Sequence, residues 1–167
     1  MELANWQTSV ASWIAQADPS LTPVFSLQEE SPRPVRPFIT IHTLSMATIG
    51  QPDRILTDTA HASGDYVGRV LEVWRGSVSL QIFADDAWDR MQDLIGGLDS
   101  SAIQELLLTL TLTISPPSTL RDLTSLAGTS QERRVGGDFF ISYMLDRSYQ
   151  EQAVTGSIGF TDSTLDP

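Results

Sequence analysis

Residues 68–95 read GRVLEVWRGSVSLQIFADDAWDRMQDLI, and this stretch decides the fold. Apolar residues occupy every second position from 78 to 82, which is the period of a strand with one buried face. After Phe83 the apolar spacing changes to that of a helix, and Asp85 and Asp86 stand where helix-capping carboxylates belong. The stretch therefore predicts a strand that leads directly into a helix.

The apolar alternation changes phase within this predicted strand. Leu71 and Val73 occupy odd positions, whereas the apolar residues from 78 onward occupy even positions. One extra residue at a β-bulge produces such a shift, and glycine is common at bulges. We therefore predict a bulge at Gly76.

The N-terminal segment, residues 1–17, predicts a helix. Apolar residues recur at helical spacing and form one stripe that includes Trp6 and Trp13. Tryptophans on such a stripe are typical of a protein core. They also suit a helix that anchors on a neighbouring subunit, because aromatic residues are enriched at interfaces. Both interpretations stay open at the level of sequence.

Residues 18–37 form a proline-rich connector or arm. Five prolines exclude a regular helix or a central strand there, and SPRPVRP favours the extended polyproline conformation. The segment is either a surface loop without a further role or an arm that reaches another subunit. In the second case Arg33 and Arg36 would be its charged contacts.

The remaining residues predict an α+β core over 38–161 and a frayed tail over 162–167, all within a single domain. In chain order we expect a strand at 38–47, a turn at 49–52, and a polar segment at 54–68 that forms either a loop or the irregular start of a hairpin. After the strand and helix quoted above we expect a short helix at 101–107 with Ser101 and Gln104 as its capping box, a strand at 108–114, a short helix at 120–126, and strands at 139–145 and 154–160. A mostly antiparallel sheet with helices packed on one face accommodates this order.

Composition excludes several kinds of chemistry. The chain has no cysteine, which excludes disulfides, thiolate catalysis and cysteine-ligated metals. All ten basic residues are arginine, which excludes Schiff-base chemistry and a phosphate-loop lysine. His42 falls in a predicted strand and is typical of a structural histidine. Ser63, His61 and Asp65 lie in one polar loop, and residues so close along the chain rarely form a catalytic triad.

No segment has the spacing of a metal or phosphate site. Asp85, Asp86 and Asp89 lack the alternating spacing and central glycine of a calcium loop, and helix capping explains them better. We therefore expect no cofactor, no metal and no enzymatic activity. A small hydrolase that uses His61 is a remote alternative.

The formal net charge of −11 argues against a surface that grips nucleic acid. The acidity either keeps the protein in solution or lines a channel through which DNA passes without binding. No apolar run approaches the roughly 20 residues of a membrane helix, and the N-terminus lacks a signal-peptide pattern. We therefore expect synthesis in the cytoplasm and no membrane partner.

The order of these features resembles the neck or tail terminator family of contractile-tailed bacteriophages. The resemblance runs from about Pro37 to Thr161. Its parts are PFITIHTLSMATIGQP with its Ile-Gly-Gln-Pro turn, the strand-to-helix stretch quoted first, a leucine-rich segment, the segment LRDLTSLAG after a proline turn, and Gln-Glu-Arg-Arg before a strand. The N-terminal helix and the proline-rich segment do not map onto the family pattern.

This resemblance implies a structural virion protein of the phage tail and neck. Such a protein forms a ring, expected to be a homohexamer, that caps the tail tube, ends tube growth and joins the tail to the head–tail connector. Its partners are then the tube protein and the connector, with the tail sheath as a further candidate, while DNA passes through the channel. Another assembly protein, either a connector or a tube subunit, is the alternative.

A ring built from head-to-tail contacts requires two different complementary surfaces on each subunit. Charged residues and the tryptophans of the N-terminal helix are the candidates for such contacts. We assign them to Trp6, Trp13, Arg33, Arg36, Asp85, Asp86, Glu132, Arg133 and Arg134.

Overall fold

Three long strands that lie side by side form the centre of the molecule. The computed structural model describes residues 4–25, 34–60, 66–127 and 130–151. Strand β2 (Phe38–Ala60) pairs antiparallel with β3 (Tyr66–Phe83), which pairs antiparallel with β8 (Arg134–Glu151). The pairing of β3 with β8 has no register shift along its whole length.

Shorter strands lie at the two edges of this sheet. β1 (Thr22–Phe25) pairs parallel with the start of β2. β4 (Leu112–Ser115) and β5 (Leu120–Asp122) both pair antiparallel with β8. β6 (Ser125–Ala127) and β7 (Ser130–Glu132) form a separate two-stranded ribbon.

Three helices pack on one face of the sheet. These are α1 (Ala4–Ala17), α2 (Ala87–Gly96) and α3 (Ser101–Thr109), and a short 3-10 turn at Gly97–Asp99 joins the last two. The predicted architecture, α+β with a mostly antiparallel sheet, is confirmed. Among the described helices, none is long and apolar enough to cross a membrane.

The main core lies between the helices and the sheet. Every second residue of the central strands points into it, as the burial of Ile39, Ile82 and Ile141 shows. The ring of Trp13 on α1 meets Phe139 on β8 edge-to-face, with centroids 5.8 Å apart. Burial of a large apolar side chain stabilises a fold by about 1.5–3 kcal/mol, so this layer contact holds the helices in place.

A smaller cluster lies on the opposite face, near the end of the sheet where β3 meets α2. Phe38 and Phe83 are buried there and stack with ring centroids 4.5 Å apart. The guanidinium of Arg134 lies 5.5 Å from the Phe83 ring centroid. The opposite face is therefore covered at this end of the sheet.

The hairpin formed by β2 and β3 is longer than the sequence predicted. The turn predicted at 49–52 is wrong, because β2 continues to Ala60. Of the two alternatives for 54–68, the described residues form the irregular part of a hairpin, since β2 and β3 pair there with a register shift between Thr57 and Ala60. The β2–β3 register shifts between Ile49 and Asp53, and Gly50 has a φ of 72°. These turn-forming residues therefore produce an irregularity within a strand and no chain reversal.

The bulge predicted at Gly76 is also wrong. The nearest irregularity lies on β2, between Thr43 and Ser45. The apolar phase changes because Val73 lies on the sheet face opposite the helices, while Val78 lies on the helix face. Gly76 has a different role, because a Cβ there would collide with the carbonyl of Ser45 and the side chain of Met46.

The helix predicted at 101–107 has different bounds. Its N-cap is Ser100, whose hydroxyl accepts a hydrogen bond from the backbone N–H of Ile103 at 3.4 Å. Gln104 donates to the carbonyl of Leu98 and does not close a capping box with Ser101. The helix continues to residue 109, so the strand predicted at 108–114 is confined to β4.

The helix predicted at 120–126 is wrong, because these residues contribute to strands β5 and β6. Their leucines pack beside two glycines of β8. A Cβ at Gly137 would lie 3.0 Å from the Leu120 side chain, and one at Gly136 would lie 2.9 Å from Leu123. The space that both glycines leave on β8 admits these extended segments, which overrides the helical spacing of the leucines.

Two further predictions concern the ends of the chain. The connector contains the short strand β1, and Pro23 is tolerated there because it lies at a sheet edge. The strand predicted at 139–145 is confirmed as part of β8. The strand predicted at 154–160 and the tail at 162–167 lie outside the described residues.

We predict that Gly76→Ala destabilises the protein by about 2–3 kcal/mol, because backbone and side-chain atoms of β2 already fill the space of a Cβ. Urea unfolding followed by circular dichroism measures the loss. Gly96→Ala is the matched control, since no atom lies within 4 Å of the added Cβ. It should leave stability unchanged or raise it by up to about 1 kcal/mol. Equal stability of the two variants would contradict this packing.

Candidate assembly surfaces

Most of the predicted contact residues meet at the end of the sheet where β3 leads into α2. Asp85, Asp86, Arg133 and Arg134 line an open cleft of about 420 Å³. Arg36 lines an adjacent depression together with the same two aspartates. The fold thus gathers residues that are far apart in sequence into one charged surface, which we call the charged end.

The two neighbouring arginines of the charged end have different contacts. Arg133 donates from Nη1 to the backbone carbonyl of Asp85 at 3.0 Å. Arg134 lies over the Phe83 ring, and its Nε is buried without a hydrogen-bond partner among the described atoms. Both side chains therefore hold the start of β8 against the junction of β3 and α2.

The last arginine of the connector forms an ion pair with a buried carboxylate. Arg36 Nη2 lies 2.8 Å from Oε1 of Glu132, and Glu132 is only 4% exposed. Removal of one partner from a buried pair leaves an uncompensated charge, so such pairs fix local geometry strongly. The pair ties the end of the proline-rich segment to β7.

A third cluster joins the helix layer to the connector. Arg90 on α2 donates to Asp86 at 2.7 Å, to Asp18 at 2.6 Å and to the hydroxyl of Ser20 at 2.6 Å. Asp86 is the N-cap residue of α2, but its side chain makes no capping hydrogen bond, so the predicted capping role is replaced by the ion pair with Arg90.

These contacts lower the pKa values of both aspartates. The hydrogen bond from Arg90 is the largest cause for Asp86, and it holds the pKa of that carboxyl below its ordinary value. For Asp18, burial raises the pKa, but the hydrogen bonds from Ser20 and Arg90 outweigh it and the net shift is downward. Both carboxylates are therefore held in their charged form.

The remaining sequence candidates lie elsewhere. Trp6 and Trp13 are 3% and 1% exposed, so their packing fits the core interpretation, and contact with a partner stays a prediction. Arg33 and His61 lie outside the described residues. His42 is half-buried and lies opposite Ser79 in the β2–β3 register. Within the described chain, no three His, Asp or Glu side chains come together as a metal site.

A second surface was not predicted as a site. On the face opposite the helices, register places nine side chains of the long strands in three rows of three. These rows are Ser45–Ser77–Phe140, Ala47–Arg75–Ser142 and Ile49–Val73–Met144. We call these nine residues the open face.

The open face is apolar, rich in hydroxyl groups and almost uncharged. Phe140 is 57% exposed, and Ile49, Val73 and Met144 are each 43% exposed. Arg75 is its single charged residue and makes no ion pair with the described residues, although its Nε lies 3.5 Å from Ser142 Oγ. The sequence signal for this surface was the change in apolar alternation between Val73 and Val78. It marks the point beyond which apolar side chains of β3 lie on the face opposite the helices.

The acidic residues concentrate on the helix side. Residues 85–105 carry six carboxylates and one arginine, a net charge of −5 within the total of −11. Asp85, Asp89, Asp93 and Asp99 are all exposed. The molecule therefore has an acidic helix layer and a nearly neutral open face.

A family model described as a phage neck terminator protein matches residues 6–164. The chain belongs to this family. The resemblance proposed from sequence is confirmed, and the match also spans the N-terminal helix and the proline-rich connector, which sequence analysis had left unassigned. A search of curated proteins gave no match.

Membership of the neck terminator family gives this protein a structural role in the neck of a phage tail. It also implies contact with other tail and head–tail proteins. Since proteins of the neck work by contact, the charged end and the open face of this neck terminator are its candidate functional sites.

We predict that Arg90→Met destabilises the protein by about 1–2 kcal/mol at pH 7, mainly through the part-buried contact with Asp18. A carboxyl with a lowered folded-state pKa stabilises the fold above its unfolded pKa, and this contribution is lost as the pH falls through the folded pKa. The gap between wild type and variant should therefore shrink between about pH 5 and pH 2, as measured by urea unfolding.

Arg121→Met is the matched control for that measurement. It removes an ion pair with Asp138 whose arginine is 59% exposed, so its effect should stay within about 0.5 kcal/mol. A pH-independent loss in Arg90→Met would contradict the role of the aspartates.

Proposed function

We propose that this neck terminator protein forms a ring that caps the tail tube, ends tube growth and joins the tail to the head–tail connector. The observation that carries the proposal is the family match over residues 6–164, which spans nearly the whole chain. In this proposal the protein assembles as a homohexamer and works by contact, without catalysis.

The distribution of surfaces on one subunit supports a ring. Head-to-tail contacts in a ring require two unlike patches on each copy, one for each neighbour. The charged end and the open face differ in charge and in apolar content, and they lie at different places along the sheet. A subunit with two such patches can bind two copies of itself in the same orientation.

The electrostatics suit a ring around a DNA channel. The six carboxylates of residues 85–105 and the net charge of −11 disfavour phosphate binding. DNA that moves through such a ring would meet little attraction, so passage without specific binding is the proposed behaviour. The tube protein and the connector are the proposed axial partners, with the sheath as a third candidate, and assembly takes place in the host cytoplasm.

The experiment that tests this proposal uses the purified full-length chain and assembled tail tubes. Mass photometry and negative-stain imaging should reveal a ring with a central hole, alone or on tube ends. Tubes incubated with the protein should stop elongating when fresh tube subunits are added, and nuclease-protected DNA should not accumulate on the ring.

Two results would refute the function in different ways. A chain that stays monomeric at high concentration and does not bind tube ends is not a terminator. A chain that grows into long open tubes by itself is a tube subunit, the alternative raised by the sequence.

A further inference from the structure

We propose that the open face is the surface through which one copy of this chain packs against the next. This inference rests on the proposed ring and names the patch that forms its lateral contact. The exposure, apolar content and charge of the open face all favour a second copy of this chain as its binding partner.

The open face lies on the side of the sheet opposite the helices, and behind it, on the helix side, Ile141, Tyr143 and Leu145 of β8 are buried in the core. Beyond Ile41, none of the described β2 side chains is buried, and none between Arg69 and Arg75 on β3 is buried. The three strands nevertheless remain paired as far as Ala60, Tyr66 and Glu151. We call the part of β3 from Tyr66 to Arg75, with its neighbours on β2 and β8, the arm; at about 3.3 Å per residue it is roughly 33 Å long. Tyr143 and Leu145 of β8 still reach the core from the arm.

A three-stranded arm of this kind gains stability when one face is covered. On the open face, Ile49, Val73 and Met144 are direct cross-strand neighbours and form one apolar row across all three strands. Phe140 adds a large exposed ring two residues along β8 from the middle row. Exposed apolar side chains gathered in this way on one face of a folded chain make that face a candidate contact surface.

The distribution of charge favours a second copy of this chain as the partner that binds the open face. Two chains that each carry −11 repel, and the repulsion is strongest where the acidic helix layers face each other. The open face presents no carboxylate. Of the carboxylates in the rows beside it, Asp146 is paired with Arg69 and Asp138 with Arg121, while Asp53 lies opposite Leu71. Arg75 offers a cation without an ion-pair partner in the described chain to the carboxylates of an approaching copy.

The same features disfavour a nucleic acid as occupant. Phosphate binding requires several cations, and the open face holds one. Aromatic stacking of bases requires successive exposed rings, and Phe140 is the single ring of the open face.

The absence of cysteine allows a direct accessibility test. Ser142→Cys places one thiol in the middle row of the open face, and Thr48→Cys places one on the opposite face of the same arm. We expect maleimide to label the Ser142→Cys variant at least about tenfold more slowly in the assembled ring than in diluted monomer, because burial requires opening before reaction. Labelling of the Thr48→Cys variant should change far less.

Charge reversal gives a second, independent readout. Arg75→Glu and Arg147→Glu alter charge equally, and both residues are exposed on the arm, but on opposite faces. Arg75→Glu should weaken ring assembly about thirtyfold or more, as expected for an interface residue whose loss costs about 2 kcal/mol. Arg147→Glu should assemble like the unmodified chain. Circular dichroism and urea unfolding check that both variants fold.

The outcomes separate this inference from the proposed function. Rings that form with the Ser142→Cys thiol fully reactive, or with Arg75→Glu unaffected, overturn the open face as the lateral contact while the terminator function stands. Protection of that thiol on tube ends but not in free rings assigns the surface to the tube protein and also overturns the inference. A chain that never assembles refutes both.

Discussion

The continuous pairing of β3 with β8 is the constraint on which the rest of the structure depends. The two strands align from Tyr66 to Phe83 without a register shift, so the side chains of both keep their faces from end to end. One half of this pair carries the helices on one side and the phenylalanine stack on the other. The other half continues outward as the arm. The position of every candidate surface follows from this single ladder, because the helices and the shorter strands attach along it no further out than the region of Tyr143 to Leu145.

Sequence periodicity predicted the elements that lie over the core and failed for those whose environment changes along the chain. The strand at 78–82 and the strand at 139–145 alternate cleanly because each has one face on the helices. The segment at 120–126 has helical spacing but forms strands, because glycines 136 and 137 leave room beside β8. Turn-forming residues at 49–52 could not be read as part of a strand, since only the pairing of Ile49 and Asp53 with β3, on either side of the irregularity, keeps the strand running past it.

The candidate surfaces were predictable to a different extent. Charged residues such as Asp85 and Arg133 stand out in a sequence, and the fold brings them together at one end. What the sequence could not show is that several of these charges are engaged within the subunit, as Arg36 is with Glu132. In the sequence, the open face is indicated only by the change in apolar alternation near Val73. An apolar residue that is exposed cannot be distinguished from a buried one by its sequence neighbours alone. Its three rows become visible only once the register of β2, β3 and β8 is known, and that register is set by strand pairing in the folded protein.

The irregularities of β2 have a consequence for aggregation. Among the described residues, the outer edge of β2 is paired by β1 only over Phe38–Ile41, and the remainder is a long row of backbone donors and acceptors. Three register shifts interrupt that row, so it offers a foreign strand only short stretches of aligned groups. Indiscriminate fibril growth along this edge is thereby hindered. A structural protein of the phage neck, which works by specific contacts, benefits from an edge that resists unspecific strand pairing.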